Sequence, residues 1–166
     1  MQNRETTACF TGHRQLREPA DNIATRLSST LIDLIQTGYQ TFCAGGARGF
    51  DALAAETVLA LKPRFPQIQL VLMLPFPKQY SQEKWTKAEI EQYNQVQALA
   101  SQIITVAPCY HSGVYYRRNK LLVDASSVCI AYKTRESSGT GHTVRYAQKN
   151  GLLVINLAEP ISDKIL

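Results

Sequence analysis

Short apolar runs alternate along this chain with longer stretches whose apolar positions recur at helical spacing. Thr7 to Thr11 is an apolar run that reads as a strand, and it ends in the polar turn Gly12-His13-Arg14. Pro19 suits the first turn of a helix, Ile23, Leu27, Leu31, Leu34 and Ile35 supply one apolar face, and Gly38 stops it. The pattern then repeats: a strand over Tyr39–Ala44, the turn Gly45–Gly49, and an Ala- and Leu-rich helix from Asp51 to Lys62. A third strand, Ile68–Leu74, runs into Pro75 and Pro77. Thr86 followed by Glu89 is a capping box for a helix to about Ala100. Further strands are predicted at Ile103–Val106, Val128–Tyr132 and Leu152–Leu157, with helices at Tyr115–Ala125 and Thr143–Lys149.

Six short strands, each followed by a loop or helix, predict an α/β fold: one domain over 1–166, in three layers, with a mainly parallel sheet of about six strands covered by helices on both faces. The strands are almost continuously apolar, as strands buried on both sides must be.

Composition narrows the class. A chain of 166 residues with 45% apolar and 19% charged residues can bury a core, and its apolar runs are too short for a bilayer span. The first twenty residues carry charges and lack an apolar signal core, so a cytoplasmic protein without membrane attachment is expected. Eighteen Lys+Arg against thirteen Asp+Glu give +5, which suits an anionic ligand without the charge blocks of a nucleic-acid-binding tail. Cys9, Cys43, Cys109 and Cys129 form no CxxC pair, and His13, His111 and His142 lack metal-ligand spacing. The cysteines read as small buried hydrophobes, and no metal site is expected.

In an open α/β sheet, ligands bind beyond the carboxyl ends of the strands. Three such segments combine glycine with hydroxyl or basic residues: Thr11-Gly12-His13-Arg14, Gly45-Gly46-Ala47-Arg48-Gly49-Phe50-Asp51, and Ser137-Ser138-Gly139-Thr140-Gly141-His142-Thr143. Glycine lets a ligand approach the backbone, a following helix offers unpaired N–H groups, and arginine adds charge-assisted contacts. Together they point to a phosphate-bearing ligand. A structural arginine at position 48 would instead pair with Asp51 or face solvent. No lysine follows a glycine, so a P-loop is absent. Gly139-Thr140-Gly141 is a partial dinucleotide motif, with Val144 at the third glycine and Glu159 beyond the next strand as a ribose-binding acid. Tyr115, Tyr116, Arg117, Arg118, Asn119 and Lys120 make an aromatic and basic patch, either a solvated helix face or a base-stacking surface that turns Arg118 and Asn119 to the crevice. Trp85 reads as packing at the pocket rim. Asp51, which also suits a helix cap, and Glu56 are the weak catalytic candidates. Asp124, a carboxylate at a helix end, needs another reason to be there.

The order FTGHR, GGARGFDALAAE, YYRRNKLLVDASS, SGTGHTVRYA resembles the DprA/Smf–LOG superfamily of Rossmann-like proteins, nearest its YpsA/YoqJ-like branch, from about Ala8 to Leu157. The resemblance implies a nucleotide or nucleotide-derived ligand held by the glycine loops, with no further cofactor required. Gly12 and Arg14 match the first loop; Gly45, Gly46, Arg48, Gly49 and Asp51 the second; Arg118 and Asn119 the helical Arg-Asn pair; Ser138, Gly139 and Thr143 the Ser-Gly loop. The hydrolases of the superfamily carry GGxGTxxE, and counting that pattern from Gly139 puts Tyr146 where their glutamate stands. A binding or sensing module is therefore expected ahead of an N-glycosidic hydrolase. Single-stranded nucleic-acid binding of the DprA type is the alternative, and the sequence leaves a homo-oligomer open.

Overall fold

The computed structural model describes residues 3–158, so Glu159 lies outside the described residues. Six strands form one sheet in which every pair is parallel. They are β1 (Thr7–Gly12), β2 (Thr41–Ala44), β3 (Gln69–Leu74), β4 (Gln102–Thr105), β5 (Val128–Tyr132) and β6 (Leu153–Asn156), in the order β4-β3-β2-β1-β5-β6. The helices are α1 (Ala20–Gln36), α2 (Phe50–Leu61), α3 (Lys87–Leu99), α4 (Val114–Asp124) and α5 (Gly139–Lys149).

The alternation of side chains along each strand sorts the core into two. Ala8, Phe10, Phe42, Leu70, Leu72, Ile130 and Tyr132 point to the face covered by α1, α2 and α3, where Ile23, Leu27, Phe50, Ala54, Val58, Tyr93 and Val96 meet them. Cys9, Cys43, Val71, Met73 and Cys129 point the other way, against Leu122 and Val123 of α4 and Ala147 of α5. Cys9 pairs in register with Cys43 on one side and Cys129 on the other, so three thiols form a row inside the second layer. Burial pushes the Cys43 thiol up to about 12, and these thiols pack as small hydrophobes. Cys109 is exposed.

Two helix starts differ from expectation. Pro19 is the N-cap of α1 rather than a first-turn residue. The larger difference is α5, which begins at Gly139 instead of Thr143. Ser138 caps it by accepting from the Gly141 N–H at 2.9 Å. The third glycine segment is therefore the first turn of a helix, a form that its two glycines disguise in the sequence. Asp124 finds its reason in α5: the Tyr146 hydroxyl donates to it at 2.8 Å, tying α4 to α5. The capping box of α3 forms as its sequence predicts.

The chain steps outward from β1 through β2 and β3 to β4. α4 then carries it back across the second face to β5, on the other side of β1. The connections leaving β1 and β5 thus diverge to opposite faces, and a crevice opens between them at the strand carboxyl ends. Glycine is needed there for close packing. A Cβ at Gly12 would overlap the ring of Phe50, and one at Gly49, which has φ +79, would overlap the backbone of Arg14. A Cβ at Gly139 meets open space.

These differences make a paired prediction. Gly12→Ala should lower the stability of the free protein by about 1–3 kcal/mol, the usual cost of overpacking. Gly139→Ala should leave it unchanged or raise it by up to about 1 kcal/mol, because alanine favours the helix. Denaturant unfolding of both variants checks the contrast.

Candidate functional site

The crevice is a cleft of about 850 Å³, enough for a nucleotide. The first loop supplies Thr11, Gly12, His13 and Arg14 to its wall, the second supplies Arg48 and Asp51, and α4 supplies Arg118 and Asn119. Ser138, Gly139 and Thr140 line it from the start of α5. The other residues singled out in the sequence take different places. Gly45 and Gly49 serve packing beneath the cleft, and Gly46 lies in a small side pocket beside Trp85 and Tyr93. Gly141 presses on the backbone of Glu136, and the Thr143 hydroxyl donates to the Gly139 carbonyl at 3.1 Å within the helix. Glu56 is exposed on α2, bonded to Gln92 and away from the cleft wall, so the structure gives no support to a catalytic role for it.

A buried charge organises the floor. Arg118 reaches from α4 to donate to the carbonyl of Gly45 and, at 2.9 Å, to Asn119 Oδ1. The missing Cβ of Gly45 leaves room for this guanidinium and for Asp51 beside it. Asp51 accepts from the Ala47 N–H at 3.3 Å, bracing the second loop from the first turn of α2. Burial pushes its carboxyl up to about 6, although the charge of Arg118, the N–H bonds from Ala47 and Gly45 and the charge of Arg14 pull it down.

His13 braces the opposite wall. Thr134 N–H donates to its Nε2 at 2.9 Å, so that nitrogen is unprotonated, and the Phe50 N–H donates to its carbonyl at 3.1 Å. Burial, then Arg135 and Arg17, hold the imidazole below its ordinary value. His13 therefore joins the loops after β1 and β5 as a neutral side chain.

Arg48 neither pairs with Asp51 nor points to solvent. It donates to Glu83 at 3.1 Å and to the Lys84 carbonyl at 3.0 Å, and its guanidinium lies 5.7 Å from the centre of the Trp85 ring. Arg14 also pairs with Glu83. Trp85 packs in a cluster with Tyr80 and Tyr93 at the rim. On the far rim Tyr115 packs against Phe76 and Tyr110, while Tyr116 is exposed, 4.9 Å from the His142 ring.

Arg135 was not among the residues the sequence pointed to. It is exposed and lines the cleft just before Ser138; its carbonyl accepts from the Ser138 hydroxyl at 3.1 Å, while its guanidinium has no hydrogen-bond or ion-pair partner among the described residues. A lone arginine three residues before a capping serine was the available signal. In the first turn of α5, the Gly139 and Thr140 N–H groups have no intrahelical partner, and both residues face the cleft. Backbone donors, a helix dipole and an unpaired guanidinium thus line the same cleft, an arrangement suited to an anion. Among the described residues no cluster of His, Cys, Asp and Glu is placed to hold a metal ion, and no helix is long and apolar enough to cross a membrane.

A parallel α/β sheet with an anion-suited cleft at its strand-order reversal defines a Rossmann-like domain of the doubly wound class. The chain belongs to the YspA SLOG family, whose model matches residues 11–151. It is 30% identical over 112 residues to a UPF0398 protein of Halalkalibacterium halodurans, covering 66% of this chain and 58% of that one. It is 27% identical over 123 residues to the SPbeta prophage-derived protein YoqJ of Bacillus subtilis, covering 67% and 71%. Its fold is similar to DNA processing protein A (DprA) of Streptococcus pneumoniae, with a TM-score of 0.65 at 13% identity, over 90% of this chain and 49% of that one. The DprA of Helicobacter pylori, described for its single-stranded DNA binding mode, gives 0.65 at 19% identity, over 91% and 64%. The chain thus spans about three fifths of that UPF0398 relative and half to two thirds of these DprA chains.

The Asp51 carboxyl should titrate with a midpoint near 6 in carbon-detected NMR, against an ordinary value of 3.8. With the folded value raised, the stability Asp51 contributes is full below about 3.8 and is lost as pH rises through about 6. Arg118→Gln should move the midpoint higher, because the nearest favourable charge is gone. A midpoint near 4 in the unsubstituted protein would contradict a buried Asp51.

Proposed function

We propose that this protein binds a nucleotide or nucleotide-derived ligand, with a phosphate at the start of α5. The observation that carries the reading is that Gly139 and Thr140, whose N–H groups have no helix partner, line one open cleft with the unpaired guanidinium of Arg135. A phosphate there would accept from the backbone and from the guanidinium. The nucleoside would extend along the cleft toward Asn119 and Tyr116. Binding rather than hydrolysis fits Asp51, whose carboxylate braces the second loop from beneath.

A second reading has its own support. The similarity of fold to DprA, one of whose structures is described for binding single-stranded DNA, favours a strand as the source of the nucleotide unit. Exposed Tyr116 on the rim offers a stacking surface, and Arg117 and Lys120 on the same helix supply positive charge. A strand would bind with steep salt dependence, because each phosphate contact releases counterions.

Calorimetry with ADP, ADP-ribose and NAD, set beside anisotropy of a labelled oligonucleotide at two salt concentrations, separates these readings. The nucleotide reading expects binding of at least one small ligand, weakened about tenfold or more by Arg135→Ala with no loss of thermal stability. Oligonucleotide binding that collapses with salt, without small-ligand binding, would select the strand. Binding of neither would remove both.

A further inference from the structure

The cleft has a second end, and there the positive charge is already taken. Arg14 comes from the loop after β1 and Arg48 from the loop after β2. Both guanidinium groups meet one carboxylate, Glu83: Oε1 takes Arg14 Nη1, and Oε2 takes Arg48 Nη2 at 3.1 Å. Two oxygens of one anion, each held by a different guanidinium, is the arrangement a phosphate would make between the same residues.

Glu83 lies on the connection between β3 and α3, which is fastened at both ends. Gln79, buried, donates to the Gly45 carbonyl at 3.1 Å, and Thr86 is locked into the capping box of α3. Lys78 opens the short turn Gln79–Gln82 in the left-handed region, with φ 54. Between these anchors Glu83 is three-quarters buried, and its carboxylate bridges Arg14 and Arg48, both residues of the cleft lining. Both cations that hold it come from other loops, Arg14 after β1 and Arg48 after β2.

We propose that Glu83 is the ligand-selecting residue of the cleft. Its carboxylate fills the anion position between Arg14 and Arg48, and an anion enters only if its remaining contacts outweigh the loss of both ion pairs. Small anions such as inorganic phosphate and pyrophosphate are turned away. A nucleotide that also engages the start of α5 and the rim displaces Glu83. This rests on the nucleotide reading above and names the residue that restricts its ligands.

Trp85 is the sole tryptophan of the chain, stands two residues from Glu83 and stacks on Arg48, so its emission reports the exchange. The test is calorimetry and Trp85 fluorescence with ADP and with inorganic pyrophosphate, on the full chain and on Glu83→Gln. Glu91→Gln, an exposed change on α3, is the control for loss of one negative charge. Glu83→Gln should bind both anions about fivefold or more tightly than the unsubstituted protein. ADP should shift Trp85 emission in the unsubstituted protein, and ligand-free Glu83→Gln should already show part of that shift. Equal or weaker binding by Glu83→Gln would overturn the proposal while leaving the nucleotide reading standing. An equal gain in Glu91→Gln would overturn it too, as an effect of net charge. Failure of both proteins to bind either anion would remove the nucleotide reading and this proposal together.

Discussion

A single buried guanidinium holds the cleft in shape. Arg118 starts on α4, on one face of the sheet, and ends against the carbonyl of Gly45, where β2 runs into α2 on the other face. Its contacts cross the carboxyl edge of the sheet, where no strand pairing can fix the loops. A charge taken out of water is costly unless it is paired and hydrogen-bonded, and here Asp51, Asn119 and the Gly45 carbonyl supply that compensation. Each of the three then loses freedom. Asp51 is drawn under the second loop, Gly45 must lack a side chain, and Asn119 turns toward the cleft.

Most of the glycine in these loops follows from that constraint and from Phe50. Gly12 makes room for the Phe50 ring, Gly45 for Arg118, and Gly49 for the backbone of Arg14, so the first two loops are packed on each other. They form one packed wall of the cleft. The segment opening α5 is different. Gly139 faces open space, and Ser138 satisfies the third N–H of the helix while the first two remain free. Loops that looked equivalent in sequence therefore divide into a pair packed on each other and one segment that opens a helix onto the cleft.

That division explains what could be read from the chain in advance. Strand order apart, the fold was legible, because buried parallel strands leave continuous apolar runs and the helices between them carry amphipathic spacing and caps. The cleft's location followed from the general rule for open sheets, and eleven of the proposed binding residues line it: Thr11, Gly12, His13, Arg14, Arg48, Asp51, Arg118, Asn119, Ser138, Gly139 and Thr140. Local sequence could not tell a glycine that admits a ligand from one that admits a neighbouring side chain, since the backbone demand is the same. It also could not reveal long-range pairs. Glu83 lies 69 residues from Arg14 and 35 from Arg48, and nothing in its own segment marks it as their partner. Arg135 was passed over because its segment read as a loop dominated by glycine, when the start of a helix three residues on gives it its meaning.

The central claim is that the first turn of α5 receives a phosphate. Amide chemical shifts of isotope-labelled protein during titration with ADP test it most directly. The account predicts that the Gly139 and Thr140 amides move farthest, downfield as hydrogen bonds to phosphate form, together with the Arg135 side-chain resonance. Saturable binding that leaves those two amides in place while shifting residues outside the cleft would contradict it.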